Sequence, residues 1–301
     1  MLYVYGLTAA CLLGLAFVLQ QHAAERAPAA DVLSFRLLLD LVKVPLWLAG
    51  IGCMVAGQLV SVLALDHGEL SAVEPLLSTN LIFAMALARR LTGQRLGVTG
   101  WTGVVLLSGG VAAFMIAGRP SGSTHDAGAF RHWLVVGSVL AVVLLLVAFA
   151  RRVTTLEPPL LAAAAGTLYG LQDALTRVST QNFDEKGVSG LLLTWQPYGV
   201  IAAAVTGLML VQSAFETGPL RLSLPSLTAS EPLIGIACGI GFLGDHVRTT
   251  PGALAGEAAG LVAVVTGVFL LGRHPMMPTG SQQQAEPSAR TGGPPAGDRA
   301  E

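Results

Sequence analysis

The chain has 301 residues, of which 53% are hydrophobic and only 12% charged, with a formal net charge of −1. Soluble domains carry about 25% charged residues, so too little charge is present to coat a water-facing surface. The near-neutral balance and the absence of like-charge runs exclude nucleic acid as a partner.

Taken in order, the charge-free stretches Leu2 to Gln20, Val44 to Leu65 and Trp133 to Ala150 each approach the roughly 20 apolar residues that cross a bilayer core. Hydropathy predicts nine spans, at about 3–20, 44–65, 70–88, 100–118, 133–150, 158–176, 190–213, 222–243 and 253–272. The N-terminal stretch lacks the basic flank of a secretory signal and has too long an apolar run, so it is read as the first span. Residues 31–43 are apolar but carry Asp31, Arg36, Asp40 and Lys43. They predict a helix near the interface or leading into the second span, with a tenth crossing as the alternative. Beyond Arg273 the composition turns to Pro, Gly, Ser, Gln and Ala, which predicts a disordered tail over 274–301. Cys11, Cys53 and Cys238 sit in apolar segments without metal-ligand or CxxC spacing and read as packed thiols.

With the N-terminus outside, inside loops and tail hold 12 of the 17 basic residues, from Arg26, Arg36 and Lys43 through Arg89, Arg90 and Arg151 to the tail; Arg119, Arg131, Arg177, Lys186 and Arg248 lie outside. The positive-inside bias therefore predicts an outer N-terminus and a cytoplasmic C-terminus. Arginine outnumbers lysine 15 to 2, a composition that suggests a GC-rich bacterial genome and so the cytoplasmic membrane.

An internal repeat is visible. ALDHGELSAVEPLLST (64–79) aligns with AFETGPLRLSLPSLTA (214–229), matching Ala64, Gly68, Leu70, Pro75 and Leu77 with Ala214, Gly218, Leu220, Pro225 and Leu227. GLAFVLQQ (14–21) aligns with GTLYGLQD (166–173), matching Gly14, Leu19 and Gln20 with Gly166, Leu171 and Gln172. Span 1 then pairs with 6, 2 with 7, 3 with 8 and 4 with 9. An odd shift reverses direction across the membrane, so the expectation is an all-α polytopic membrane protein of about nine or ten transmembrane helices in two inverted repeats. The first repeat covers 1–118, a linker with one extra helix 119–157, and the second repeat 158–273. Inverted repeats rocking about a midplane site are the recurrent plan of secondary transporters.

With WLAGIGCMVAG (47–57), VEPL (73–76), LTGQRLGVTGWTGVVLLSGG (91–110) and QSAFETGPLRLSLPSLTASEPL (212–233) laid out, the chain resembles the drug/metabolite transporter (EamA-like) superfamily over residues 3 to 273. The nearest likeness is to its NIPA-type magnesium transporter branch and to actinobacterial members. Glu74 stands where that branch is expected to carry Thr before Pro-Leu, and Gln94 where the family often has Glu. The resemblance implies transport of a small metabolite, drug or cation by alternating access, with a divalent-cation transporter or a non-transporting scaffold subunit as alternatives.

No hydrolase, kinase or zinc motif occurs, so neither an enzyme nor a cofactor is expected. GIGFLG (239–244) matches a dinucleotide fingerprint but lies in an apolar span with no strand before it. GALAGEAAG (252–260), Gly166/Gly170 and Gly235/Gly239 have the GxxxG spacing of tightly packed membrane helices, either within the chain or at a homodimer interface. The informative residues are ionisable groups inside spans, because a charge at a helix centre costs about 2.5–3.5 kcal/mol on insertion scales. Glu231 lies near the middle of span 8; Glu74, Asp173 and Glu257 are expected nearer one face of the membrane, as an entry path for a cation. Gln20, Gln58, Asn80, Gln172 and Gln212 are polar companions that either contact solute or join helices. Pro75, Pro225 and Pro232 each remove a backbone donor inside a span, which either bends the helix or opens it at a site. Glu231 is the first choice for coupling, since a carboxyl there can exchange a proton for a cationic solute or touch a metal ion.

Overall fold

A computed structural model of the chain describes residues 2–26, 35–66, 70–91, 96–118, 129–244 and 248–272. Among them there is no strand, and the helices are α1 (Leu2–Ala24), α2 (Phe35–Leu41), α3 (Pro45–Asp66), α4 (Leu70–Leu77), α5 (Asn80–Leu91), α6 (Val98–Gly118), α7 (Ala129–Ala150), α8 (Glu157–Lys186), α9 (Val188–Leu192), α10 (Gln196–Thr217), α11 (Leu220–Leu243) and α12 (Pro251–Gly272). Six of them, α1, α3, α6, α7, α10 and α12, are long and apolar enough to cross a bilayer. Their outward faces carry large apolar side chains such as Val62, Leu144, Leu145 and Val262, all exposed. That distribution suits lipid rather than water, and the chain is a helical multi-pass membrane protein.

Local chemistry sets the helix ends. Prolines open α8 and α10 within the first turn and α12 at its first residue, where a missing N–H costs nothing. Gly244 closes α11 in the left-handed region at φ 65°, its N–H reaching the Gly239 carbonyl. One expectation changes in detail: the predicted span at 70–88 is two helices, interrupted at Ser78 and Thr79. Within 31–43 the described residues form the seven-residue α2, which leads into α3 as expected. The tail at 274–301 lies outside the described residues.

Close helix contacts organise the bundle around α1 and α8. A Cβ placed on Gly50 of α3 would meet Gln20 and Ala16 of α1, and one on Gly57 would meet Leu13 and Ala9, so α1 and α3 run antiparallel. In the other half, Gly199 of α10 meets Leu175 and Gly207 meets Tyr169, so α8 and α10 are also antiparallel. The parallel contacts match as well. A Cβ on Gly14 would stand 2.7 Å from the Asn80 carbonyl oxygen, 2.8 Å from the Ala84 nitrogen and 3.0 Å from Phe83 Cβ. On Gly170 it would stand 2.6 Å from the Glu231 carbonyl oxygen, 2.6 Å from the Gly235 nitrogen and 2.9 Å from Ile234 Cβ. Gly166, one turn earlier on α8, meets α11 in the same pattern, through the Leu227 carbonyl oxygen at 2.7 Å and the Glu231 nitrogen at 3.2 Å.

The seam between α6 and α12 is reciprocal. A Cβ on Gly110 would lie 2.8 Å from the Gly260 carbonyl oxygen, and one on Gly260 would lie 2.8 Å from that of Gly110. Gly103 and Gly267 face each other in the same way at 3.0 and 2.7 Å. Seven residues separate the glycines on each helix, so backbones touch every second turn, and the pairing order makes the two helices antiparallel. Of the GxxxG glycines predicted to pack helices, four do so inside the chain, while Gly252 has nothing within 4 Å of its Cβ position. Gly166 and Gly170 seat α11, and Gly256 and Gly260 seat α6.

Candidate functional site

Glu231 stands at the centre of α11, eleven residues from Leu220 and twelve from Leu243. It is half-buried. Gly166 and Gly170 bring α8 against this stretch so closely that main-chain atoms of α11 fill the place of their side chains. Pro232 follows, which leaves the Thr228 carbonyl without its helical donor, yet α11 stays continuous. Tyr169 of α8 is near enough to Glu231 for electrostatic interaction and packs against Gly207 of α10 on its other side. The core of the site is therefore a carboxylate and a phenol where α8, α10 and α11 meet.

Asn80 opens α5 directly after the interruption. Its Oδ1 is buried without a hydrogen-bond partner, and its carbonyl occupies at Gly14 the place that the Glu231 carbonyl occupies at Gly170. The interruption itself is stitched by hydroxyls. Ser78 Oγ donates to the Pro75 carbonyl at 2.8 Å and to the Ser108 carbonyl of α6 at 3.3 Å; Thr79 Oγ1 donates to Leu76 at 2.5 Å. These bonds satisfy carbonyls that a continuous helix would use, which favours a break over a kink.

Gln20 and Gln212, fully buried, form a second polar cluster that joins the halves: Gln212 Nε2 donates to Gln20 Oε1 at 2.7 Å. Gln20 Nε2 and Gln212 Oε1 are left without partners. Phe17 and Phe215 meet edge to face beside them, with centroids 6.4 Å apart. The pair lies near the C-terminal ends of both α1 and α10, away from Glu231.

The other predicted residues are dispersed. Asp173 is exposed on α8 and acts electrostatically on Cys238, two turns beyond Glu231 along α11. Gln172 is partly buried, with an unpartnered Oε1. Glu257 lies one residue after Gly256, which faces Ala117 at the far end of α6, and its Oε1 is buried without a partner. Gln58 is exposed on α3, within 3.4 Å of Ser61 Oγ. Glu74 is carried on α4, but its side chain lies outside the described residues. Among the described residues no three His, Cys, Asp or Glu side chains gather as a metal site. Tyr169 and Ser108 were not singled out by sequence. Tyr169 sits inside the repeated GTLYGLQD stretch, which was a usable signal; Ser108 had none.

Comparison with known proteins adds one relative: an uncharacterized protein of Corynebacterium glutamicum is 27% identical over 285 residues, spanning 93% of this chain and 97% of the relative. No family model matches the chain. No solved structure matches it either.

Proposed function

We propose that the chain is a secondary transporter of the drug/metabolite (EamA-like) type, moving a small polar or cationic solute across the cell membrane by alternating access. Glu231 is its coupling residue. Nine crossings are formed by α1, α3, α4 with α5, α6, α7, α8, α10, α11 and α12. They make two inverted repeats, α1 to α6 and α8 to α12, linked by α7. The antiparallel seam of α6 and α12 supports this layout, because equivalent helices of inverted repeats run in opposite directions. The matched surroundings of Gly14 and Gly170, and of Leu13 and Tyr169, support it from the other helices.

One observation carries the functional reading: Glu231 stands half-buried at the centre of α11 and interacts electrostatically with Tyr169 of α8. A purely structural bundle has no use for an ionisable group there, where insertion costs about 2.5–3.5 kcal/mol. A carboxyl at the centre of two rocking halves can hold a proton in one state and a cationic group in the other. The divalent-cation reading draws on no side-chain cluster among the described residues. The scaffold reading leaves Glu231 unexplained.

The test is proton movement in reconstituted vesicles loaded with a pH-sensitive dye. The additions are a lipophilic phosphonium cation, magnesium ion and neutral amino acids, each supplied alone. Wild type should respond to at least one, and Glu231→Gln should reduce that response at least ten-fold at equal reconstituted amounts. An undiminished response in the mutant moves the coupling role away from this residue.

A further inference from the structure

We propose that this structure holds the transporter closed at one membrane face, through the seating of α1 and α2 on α10, and that Gln58 and Gln172 form the latch that closes the opposite face in the alternate state. The inference rests on the transporter reading above and adds the two side chains that alternate with the Gln20–Gln212 bond.

The two halves are joined unequally. Along the α6 and α12 seam they touch at both ends, from Gly103 with Gly267 to Ala117 with Gly256, so that seam can serve as the pivot. Elsewhere the contact is one-sided. α1 and α2 of the first half contact α10 of the second, with Gln20 bonded to Gln212 and Phe17 set against Phe215 near the C-terminal ends of α1 and α10. Inverted repeats call for the mirror contact, α8 and α9 on α3, at the opposite face. Among the described residues no comparable contact is made: α3 packs on α1 and α4, and α9 on α8 and α10.

Exposure repeats the asymmetry. Gly57 of α3 and Gly207 of α10 occupy matching places, the one against Leu13 of α1 and the other against Tyr169 of α8. Five residues beyond Gly207, Gln212 and Ser213 are fully buried, whereas five residues beyond Gly57, Val62 and Leu63 are 60% and 47% exposed. On the first helices of the repeats, Gln20 and Gln21 are fully buried. Their counterparts are the partly buried Gln172 and exposed Asp173 when Gly14 is matched with Gly166, and the exposed Thr176 and Arg177 when it is matched with Gly170. Either register leaves α8 open where α1 is covered.

The latch residues follow from the same matching. Gln20 packs within its own half, where a Cβ on Gly50 of α3 would lie 2.9 Å from its Cγ, while its amide reaches across to Gln212. Gln172 is placed alike: it lies between Tyr169 and Leu175, which meet Gly207 and Gly199 of α10, and its Oε1 is buried without a partner. Gln58 is thirteen residues from Pro45 and eight from Asp66, exposed within an apolar span, and one turn before Val62 on the same face of α3. Its Oε1 accepts from Ser61 at 3.4 Å, which leaves its NH2 to donate. An amide at this depth costs free energy unless it finds a partner. Exchanging the roles of the repeats brings α8 onto this face of α3, and Gln58 Nε2 then donates to Gln172 Oε1 as Gln212 Nε2 donates to Gln20 Oε1 here. Interhelical bonds of this kind are individually weak in membranes, so neither latch traps its state.

The experiment uses the full chain in membranes, without Cys11, Cys53 and Cys238 and carrying Gln20→Cys, Gln212→Cys, Gln58→Cys and Gln172→Cys, treated with a short bifunctional thiol reagent and read by intact mass and peptide mapping. Each chain should carry one link, 20 to 212 or 58 to 172, with the other two thiols singly capped. Doubly linked chains should be at least ten-fold rarer than independent linking would give. In two-cysteine chains, Gln58→Cys with Gln172→Cys should link at least ten-fold faster than Gly52→Cys with Gln172→Cys, because Gly52 lies on a different face of α3. Val62→Cys takes the place of Gln58→Cys where that variant folds poorly. Doubly linked chains at the independent level overturn the inference, as does the absence of either link or a 58-to-172 rate no higher than the Gly52→Cys control. Any of those results beside a proton response that depends on Glu231 leaves the transporter reading standing and removes this one. Mutually exclusive links beside a proton response that survives Glu231→Gln keep the latch and remove the coupling role of Glu231.

Discussion

Gly170→Ala is the sharpest test of how Glu231 and its seat on α8 are held. The new Cβ would come within 2.6 Å of both the Glu231 carbonyl oxygen and the Gly235 nitrogen. Ordinary contact begins near 3.4 Å, so α8 and α11 must part by about 0.8 Å over at least one turn. Main chain on the far side has no rotamer to yield. Overpacking of this kind costs about 1–3 kcal/mol, and the better helix propensity of alanine returns up to about 1 kcal/mol. Gly52→Ala on α3 is the matched control, since nothing lies within 4 Å of its Cβ. The propensity gain is common to both variants and cancels in the comparison, leaving Gly170→Ala about 1–3 kcal/mol less stable than Gly52→Ala. Reversible unfolding in mixed micelles of a mild detergent and dodecyl sulfate measures the difference. Gly14→Ala, at 2.7 and 2.8 Å from its own carbonyl and nitrogen, should match Gly170→Ala. Equal stability of Gly170→Ala and Gly52→Ala would show that α8 and α11 do not pack as described.

Two further outcomes are expected. A double-mutant cycle on Gln20 and Gln212, each changed to Ala, should give a coupling of about 0.6–1.7 kcal/mol, the range of interhelical hydrogen bonds in membranes; Leu at both positions should be better tolerated than either single Ala, because no polar atom is stranded, and independent effects of the two alanines would break the link between the halves. For topology, single cysteines replacing Arg152 and Lys186, in a chain without Cys11, Cys53 and Cys238, should differ with an impermeant thiol reagent: the one at 186 labels in intact cells and the one at 152 only after lysis, and the opposite pattern inverts the predicted orientation.

Much of the fold was legible because bilayer crossings leave long signals. An uncharged apolar stretch of about twenty residues reports a span whatever its neighbours are, and the six qualifying helices fall on predicted ones. The break at Ser78 and Thr79 was hidden, because a composition that stays apolar on both sides of a turn reads as one span. What separates α4 from α5 is hydroxyl-to-carbonyl bonding, which hydropathy does not weigh. Register was partly legible. Gly166 and Gly170 are one turn apart, and each faces a carbonyl and the amide four residues later on α11, so the contacts do not choose between them. Gln20 and Gln212 were noted as polar residues, but their pairing spans 192 positions and has no local signature. Placing Asp173 and Glu257 on one side of the membrane says nothing about which helix face they occupy, and the side that Asp173 presents to Cys238 has no local signature.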